Sequence, residues 1–245
     1  MLENVRDLIL QNGWHLFLAS FVFFLLLYFF FAYTTFYISL RLAPARKIHA
    51  AKASPEKMKR QIRFEIRQSL VSILIFALQA IFIQLAYTKG WATINWKING
   101  FTLLPQILIL FLWNEIHFFT CHWSLHRKWF FRRVHVVHHR SLSPTPFSIY
   151  SFHWFEAFLL GTVIFPPLLL YPFQYAAILS LPLLSILLNV LGHWDYDLFP
   201  HQKPSHWTRF SFRHSMHHKW SKGNYGFFLP VFDQLFHTNL KNEQS

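Results

Sequence analysis

Acidic residues are scarce in this chain: ten Asp and Glu stand against 23 Lys and Arg, a formal net charge of +13. Cysteine is scarcer still. Cys121 is alone, so no intramolecular disulfide can form. Its place beside His122 invites a ligand reading, but a lone cysteine at a helix end is more often a small buried residue. The N-terminus has a weak basic region and lacks a small-residue cleavage pattern, which argues against a secretory signal peptide. Charge is missing altogether from long runs. No Lys, Arg, Asp or Glu occurs from Trp14 to Leu40, from Gln68 to Thr88 or from Ala157 to Trp194, and Ile98 to Cys121 carries only Glu115.

Such segregation, with an aromatic content of 20% and 30 Phe, excludes an ordinary soluble domain. A bilayer core of about 30 Å needs roughly 20 apolar helical residues, so each of the first three runs spans once. The last is long enough for two crossings, with Pro166, Pro167 and Pro172 near its middle where a hairpin must break. The expected fold is an all-α integral-membrane bundle of four or five spans, five being the count adopted here. Residues 1–112 hold the first helices and a basic loop, and 113–240 form a catalytic region.

Orientation follows from the basic loops. Arg41 to Arg67 carries nine Lys and Arg against Glu56 and Glu65 only, which keeps that loop cytoplasmic. Five spans then place the N-terminus outside and the C-terminus inside, in a bacterial inner membrane or the endoplasmic reticulum. The basic surface suits anionic headgroups, or docking of an acidic electron-donor protein. Charge that tracks topology and carries no binding motif speaks against nucleic acid.

What the chain has in abundance is histidine, 16 residues, and half of them fall in three clusters: His122-x-x-x-His126, His135-x-x-His138-His139 and His214-x-x-His217-His218. On a helix, residues three and four apart share a face. The first cluster should therefore present two imidazoles to one side, and each of the others three. Eight ligands exceed the needs of one ion. A structural zinc closes with four, and a catalytic zinc usually takes three plus water. Two metals held in a cytoplasmic, histidine-rich helical cap fit better. Imidazole suits Fe, Zn, Cu and Ni, and oxygen-using di-iron sites of the ferritin type need carboxylates that are nearly absent here.

Three other residues join the candidates. His193 returns to the level of the clusters after the uncharged run and is expected to be a ligand. His153, three residues before Glu156, opens the fourth expected span at that level and is a further candidate ligand. Glu115 is an ionisable group inside an apolar span. It stands seven residues before His122, about 10 Å along a helix axis, too far for a direct pair. A bond to a ligand from another cluster is expected instead. His15, His49, His117, His201, His206 and His237 lack ligand spacing and read as interfacial side chains.

Three functions compete. A lipid oxygenase needs oxygen and reductant. A zinc-dependent membrane hydrolase needs an open zinc and a general base, for which Glu115 and Glu156 are the only nearby carboxylates. A metal transporter usually holds its site near the bilayer midplane rather than outside the spans.

These residues resemble the fatty acid hydroxylase/sterol desaturase superfamily of integral-membrane di-iron enzymes, whose pattern is HxxxH, HxxHH and a distant HxxHH. The resemblance runs from about Trp113 to Thr238. Asn189-Val-Leu-Gly192-His193 is similar to the family's NxxGH element, Asn224-Tyr225-Gly226 to NYG, and Phe232-Asp233-Gln-Leu-Phe236 to FWDRLFGT. Pro144-Thr-Pro-Phe147, with His153 and Glu156 after it, is also similar to family sequence. Glu115 occupies a place where Asp is more usual; Trp123 and Gln234 replace frequent arginines, and His237 a usual glycine. The resemblance implies two Fe ions, O2 as co-substrate and an external reductant. That reductant would be a cytochrome b5-like protein or a ferredoxin with its reductase. The implied substrate is a membrane lipid of the sterol or fatty acyl class, hydroxylated or desaturated.

Overall fold

The structure is a computed structural model that describes Leu10 and residues 12–41, 47–49 and 54–240. Part of the basic loop and the first nine residues lie outside the described residues. The described chain is helical, with no strand beyond two isolated bridges.

The first three long helices each start where a side chain satisfies a free amide. Helix α1 (Gly13–Ser39) follows Asn12, whose side chain accepts from Trp14 N at 2.9 Å. Helix α2 (Pro55–Thr88) follows Ser54 and carries Pro55 and Glu56 in its first turn, where a missing N–H costs nothing and a negative charge suits the helix dipole. Helix α3 (Gly100–Leu125) follows Asn99, which accepts from Phe101 N. Helix α4 (Lys128–Arg133) leads into a 3-10 turn at His135–Arg140. Then come α5 (Trp154–Gly161), a 3-10 turn at Thr162–Ile164, α6 (Phe165–Leu170), α7 (Tyr175–Gly192), α8 (Phe210–Trp220) and α9 (Val231–Leu235).

Four helices, α1, α2, α3 and α7, are long and apolar enough to cross a membrane. The expectation of five full spans is corrected here: the passage between α3 and α7 is the shorter apolar run Trp154–Leu170, broken into α5, a 3-10 turn and α6. It still connects opposite ends of the bundle. Glu156 near its start touches His135, whereas the turn after it, which contains Pro172, sits at the N-terminus of α3. There Asn95 N donates to Phe173 O at 2.9 Å, and Asn99 N donates to Gln174 Oε1 at 2.6 Å.

The outward faces are apolar. Leu18, Val22, Leu26 and Phe30 repeat every four residues along α1 and are all exposed, as a lipid-facing stripe requires. Inside, Tyr28, Ile73, Ala157 and Ile186 bring α1, α2, α5 and α7 into one core. Polar groups beside that core reach one loop. Tyr28 Oη donates to Phe147 O at 2.9 Å. The Glu65 carboxylate, fully buried, accepts from Ser141 Oγ at 2.7 Å, from Thr145 Oγ1 and from Gln61 Nε2 at 2.8 Å. Helix α2 thereby grips the segment directly after His139.

Candidate metal centre

The three boxes reach one end of the bundle by different local structures. His122 lies in the last turn of α3 and His126 caps it. His135, His138 and His139 ride the 3-10 turn, and His214, His217 and His218 lie on α8. His193 caps the C-terminus of α7.

Nine imidazoles gather into two groups, His122, His126, His135, His139 and His217 in the first and His138, His193, His214 and His218 in the second. Within each group the ligating atoms all lie within 4.8 Å of one another. The expectation that each HxxHH box turns three rings to one side is corrected. His139 and His217 serve the first group, while their neighbours His138 and His218 serve the second. Adjacent residues on a helical turn point about 100° apart. A histidine pair therefore straddles two sites rather than crowding one.

The hydrogen bonds set the tautomers. His122 Nδ1 lies 2.7 Å from Tyr225 O, His193 Nδ1 2.8 Å from Asn189 O, and His217 Nδ1 2.6 Å from Gly223 O. His138 Nδ1 makes a longer contact of 3.4 Å with Ser151 O. A carbonyl only accepts, so each of these Nδ1 atoms carries the proton and each Nε2 presents a bare lone pair. Yet the Nε2 atoms converge. His193 Nε2 is 3.2 Å from that of His138 and 3.0 Å from that of His214, and His217 Nε2 is 3.1 Å from those of His126 and His139. At His138 and His193, where both tautomers are set, the two facing lone pairs repel unless a cation lies between them. Nitrogens about 2.1 Å from one metal and at right angles around it stand about 3 Å apart. The donor set fits two imidazole-ligated metal ions.

Burial keeps these rings neutral. It pushes the imidazoles of His135, His138, His139, His214, His217 and His218 well below the ordinary histidine range, with neighbouring histidines adding to the effect, and His193 down to about 4. Metal ligation by histidine needs the unprotonated ring.

The surrounding segments hold the rings by their backbones. Gly223 adopts a positive φ of 61°, and a Cβ there would lie 2.9 Å from Thr238 O, so the carbonyl that orients His217 is placed by a turn that favours glycine. Asp233 accepts from Tyr225 N at 2.7 Å and Gly226 N at 2.8 Å, fixing the strip whose Tyr225 carbonyl orients His122.

Two expected contacts are absent and one unforeseen contact appears. Among the described residues Glu115 makes no hydrogen bond to a clustered histidine: its Oε2 accepts from Leu229 N at 2.8 Å and buttresses the strip after the third box. The strip passes within reach because it folds back over α3, which spacing along one helix does not reveal. His153 stands outside both groups; its ring caps α5 by accepting from Phe155 N at 3.2 Å. The carboxylate that does contact a box histidine is Glu156, fully buried, with Oε1 2.8 Å from His135 Nδ1. In the sequence Glu156 stands out as one of two carboxylates near the clusters and by its place in the family-like stretch after the second box, but neither signal names His135 as its partner. Cys121 is buried against His117 and lies in neither group, and His117 itself contacts Thr162.

Between the two groups is a void of about 10 Å³, lined by His122, His135, His138, His193, His214 and Glu156. That is room for one water-sized molecule. Phe118, Phe152, Leu160 and Asn189 separate it from a larger, mostly apolar cavity of about 340 Å³ that runs down between α1, α2, α3 and α7.

The model of the family described as fatty acid hydroxylase matches residues 107–238, more than half of the chain. This chain belongs to that family. All nine clustered histidines fall inside the family region. Among relatives in the wider fatty acid hydroxylase/sterol desaturase superfamily, human lathosterol oxidase is 25% identical over 217 residues, covering 86% of this chain and 69% of the relative. The Aspergillus fumigatus Delta(7)-sterol 5(6)-desaturase erg3B is 29% identical over 240 residues, covering 94% of this chain and 67% of the relative. The Delta(7)-sterol 5(6)-desaturase of Leptosphaeria maculans is 26% identical over 187 residues, with 74% and 51% covered. No solved structure matches significantly.

Proposed function

We propose that this protein is a membrane-bound di-iron oxidoreductase that uses O2 and an external electron donor to hydroxylate or desaturate a C–H bond of a lipid. The observation that carries this reading is two groups of converging histidine nitrogens beside an apolar cavity inside the spanning helices. His122, His126, His135, His139 and His217 would hold one iron, and His138, His193, His214 and His218 the other. Iron bound there supplies the activation of oxygen and the removal of hydrogen from an unactivated carbon.

The protein's own residues do the rest. Backbone carbonyls of Asn189, Gly223 and Tyr225 and the Glu156 carboxylate hold the ring orientations. Phe118, Phe152 and Leu160 keep bulk water from the void, and the cavity admits an apolar chain or ring system directly from the bilayer. The names of the relatives favour a sterol as substrate. The basic loop and the positive-inside rule orient the metal end to the cytoplasm, where a soluble or tethered electron-donor protein would dock.

Purified protein is expected to contain two Fe per chain and to consume O2 and reductant only when a lipid substrate is present. Neither His135→Ala nor His217→Ala should turn over. Full activity in either variant sinks the ligand assignment, and lipid turnover without oxygen uptake points to the hydrolase reading.

A further inference from the structure

Resting on the lipid-oxidation reading, we propose that the side chain of Asn189 selects the substrate, by accepting a hydrogen bond from a hydroxyl group on a hydroxysterol. Asn189 lies at the neck between the large cavity and the void of the histidine groups and lines both. Its two polar parts do separate jobs. The backbone carbonyl accepts from His193 Nδ1, as described above. The side-chain nitrogen donates to Ser185 O at 2.8 Å, which settles which way the amide points. Among the described residues nothing donates to the remaining atom, Oδ1.

That oxygen is an acceptor only, so its natural partner is a donor. The cavity also restricts charge. No Lys, Arg, Asp or Glu lines it among the described residues. A carboxylate or phosphate seated there would be an unpaired ion in a low-dielectric interior, a costly arrangement. An aldehyde, ketone or ester has no proton to offer Asn189. A neutral lipid with a hydroxyl group satisfies both conditions. Placement points the same way. Ser185, Asn189 and His193 follow one another at four-residue intervals on one face of α7, so Asn189 precedes His193 by one turn, about 6 Å along the axis. A hydroxyl held at the neck brings carbons only a few bonds away from it to the imidazoles. The far, wholly apolar end of the molecule then fills the cavity between the spanning helices.

The test measures equilibrium binding to detergent-purified, metal-loaded protein, using lathosterol and its 3-deoxy analogue as probes. Wild-type protein should bind lathosterol about tenfold more tightly than the analogue, the worth of one hydrogen bond in such a site. In Asn189→Leu that ratio should fall to about one with the iron content unchanged, because the carbonyl that holds His193 belongs to the backbone. Equal binding of the two probes by the wild-type protein overturns the proposal, as does absence of saturable lathosterol binding or an undiminished ratio in the variant. If Asn189→Leu fails to load metal, Asn189→Ala takes its place in the same comparison, with the same ratio of about one expected. A protein that shows the ratio but oxidises neither probe keeps the hydroxyl site and loses the oxidation reading for this sterol.

Discussion

The two histidine groups are built to different tolerances. The first draws five rings from three segments, and one of them, His126, is only half-buried at the protein surface. The second has four rings, all buried, and depends on His193 from the end of a spanning helix. Surplus ligands and surface access belong to one site, economy and seclusion to the other. A mutation of the same kind should therefore cost them unequally.

The sharpest way to expose that asymmetry is to remove one ring from each. His193→Ala leaves three ligands in the second group and should reduce iron from two to about one per chain, with activity lost; two irons in this variant would show the groups to be equivalent. His126→Ala leaves four and should retain both metals, read by the same metal analysis. Glu156→Leu comes next, since it frees His135 to rotate. Loss of such an orienting partner typically weakens metal binding by 10- to 100-fold, and Glu156→Gln, which keeps an acceptor oxygen, should recover most of it in a chelator titration.

Acid should act on both groups in the chelator-stripped protein. An unfolded histidine titrates near 6.5, whereas His193 in the folded chain titrates at about 4. The unfolded state therefore binds more protons between these values. This contribution to stability is complete above about pH 6.5 and is lost as pH falls toward 4. Thermal unfolding followed across that range should show a falling Tm; a flat profile contradicts neutral, buried rings. The smallest effect belongs to His153→Ala. It removes a helix cap worth about 0.5–1 kcal/mol and should leave the iron content untouched.

Much of this was legible in the chain. The three boxes stood out by spacing, His193 by its place after the uncharged run, and helical spans followed from uncharged runs. Other features were not. Whether the run after His153 crosses once as a regular helix or as three short pieces depends on how it packs against α2 and α3, and its composition is apolar either way. The contacts of Glu115 and Glu156 could not be read along the chain, because the partner of a buried carboxylate is whatever the fold carries to it. Leu229 N is 114 positions from Glu115, and His135 is 21 from Glu156.

By itself, the order of residues determined that this molecule is helical, apolar on its outer faces and rich in clustered histidines. Hydrophobic run length and residue chemistry are local properties. Tertiary structure alone decided the partition of nine rings into five and four, the carbonyls that set the tautomers of four of them and the neck at Asn189. Each of these is a distance between segments far apart in the chain, fixed only when helices from opposite ends of the sequence pack together.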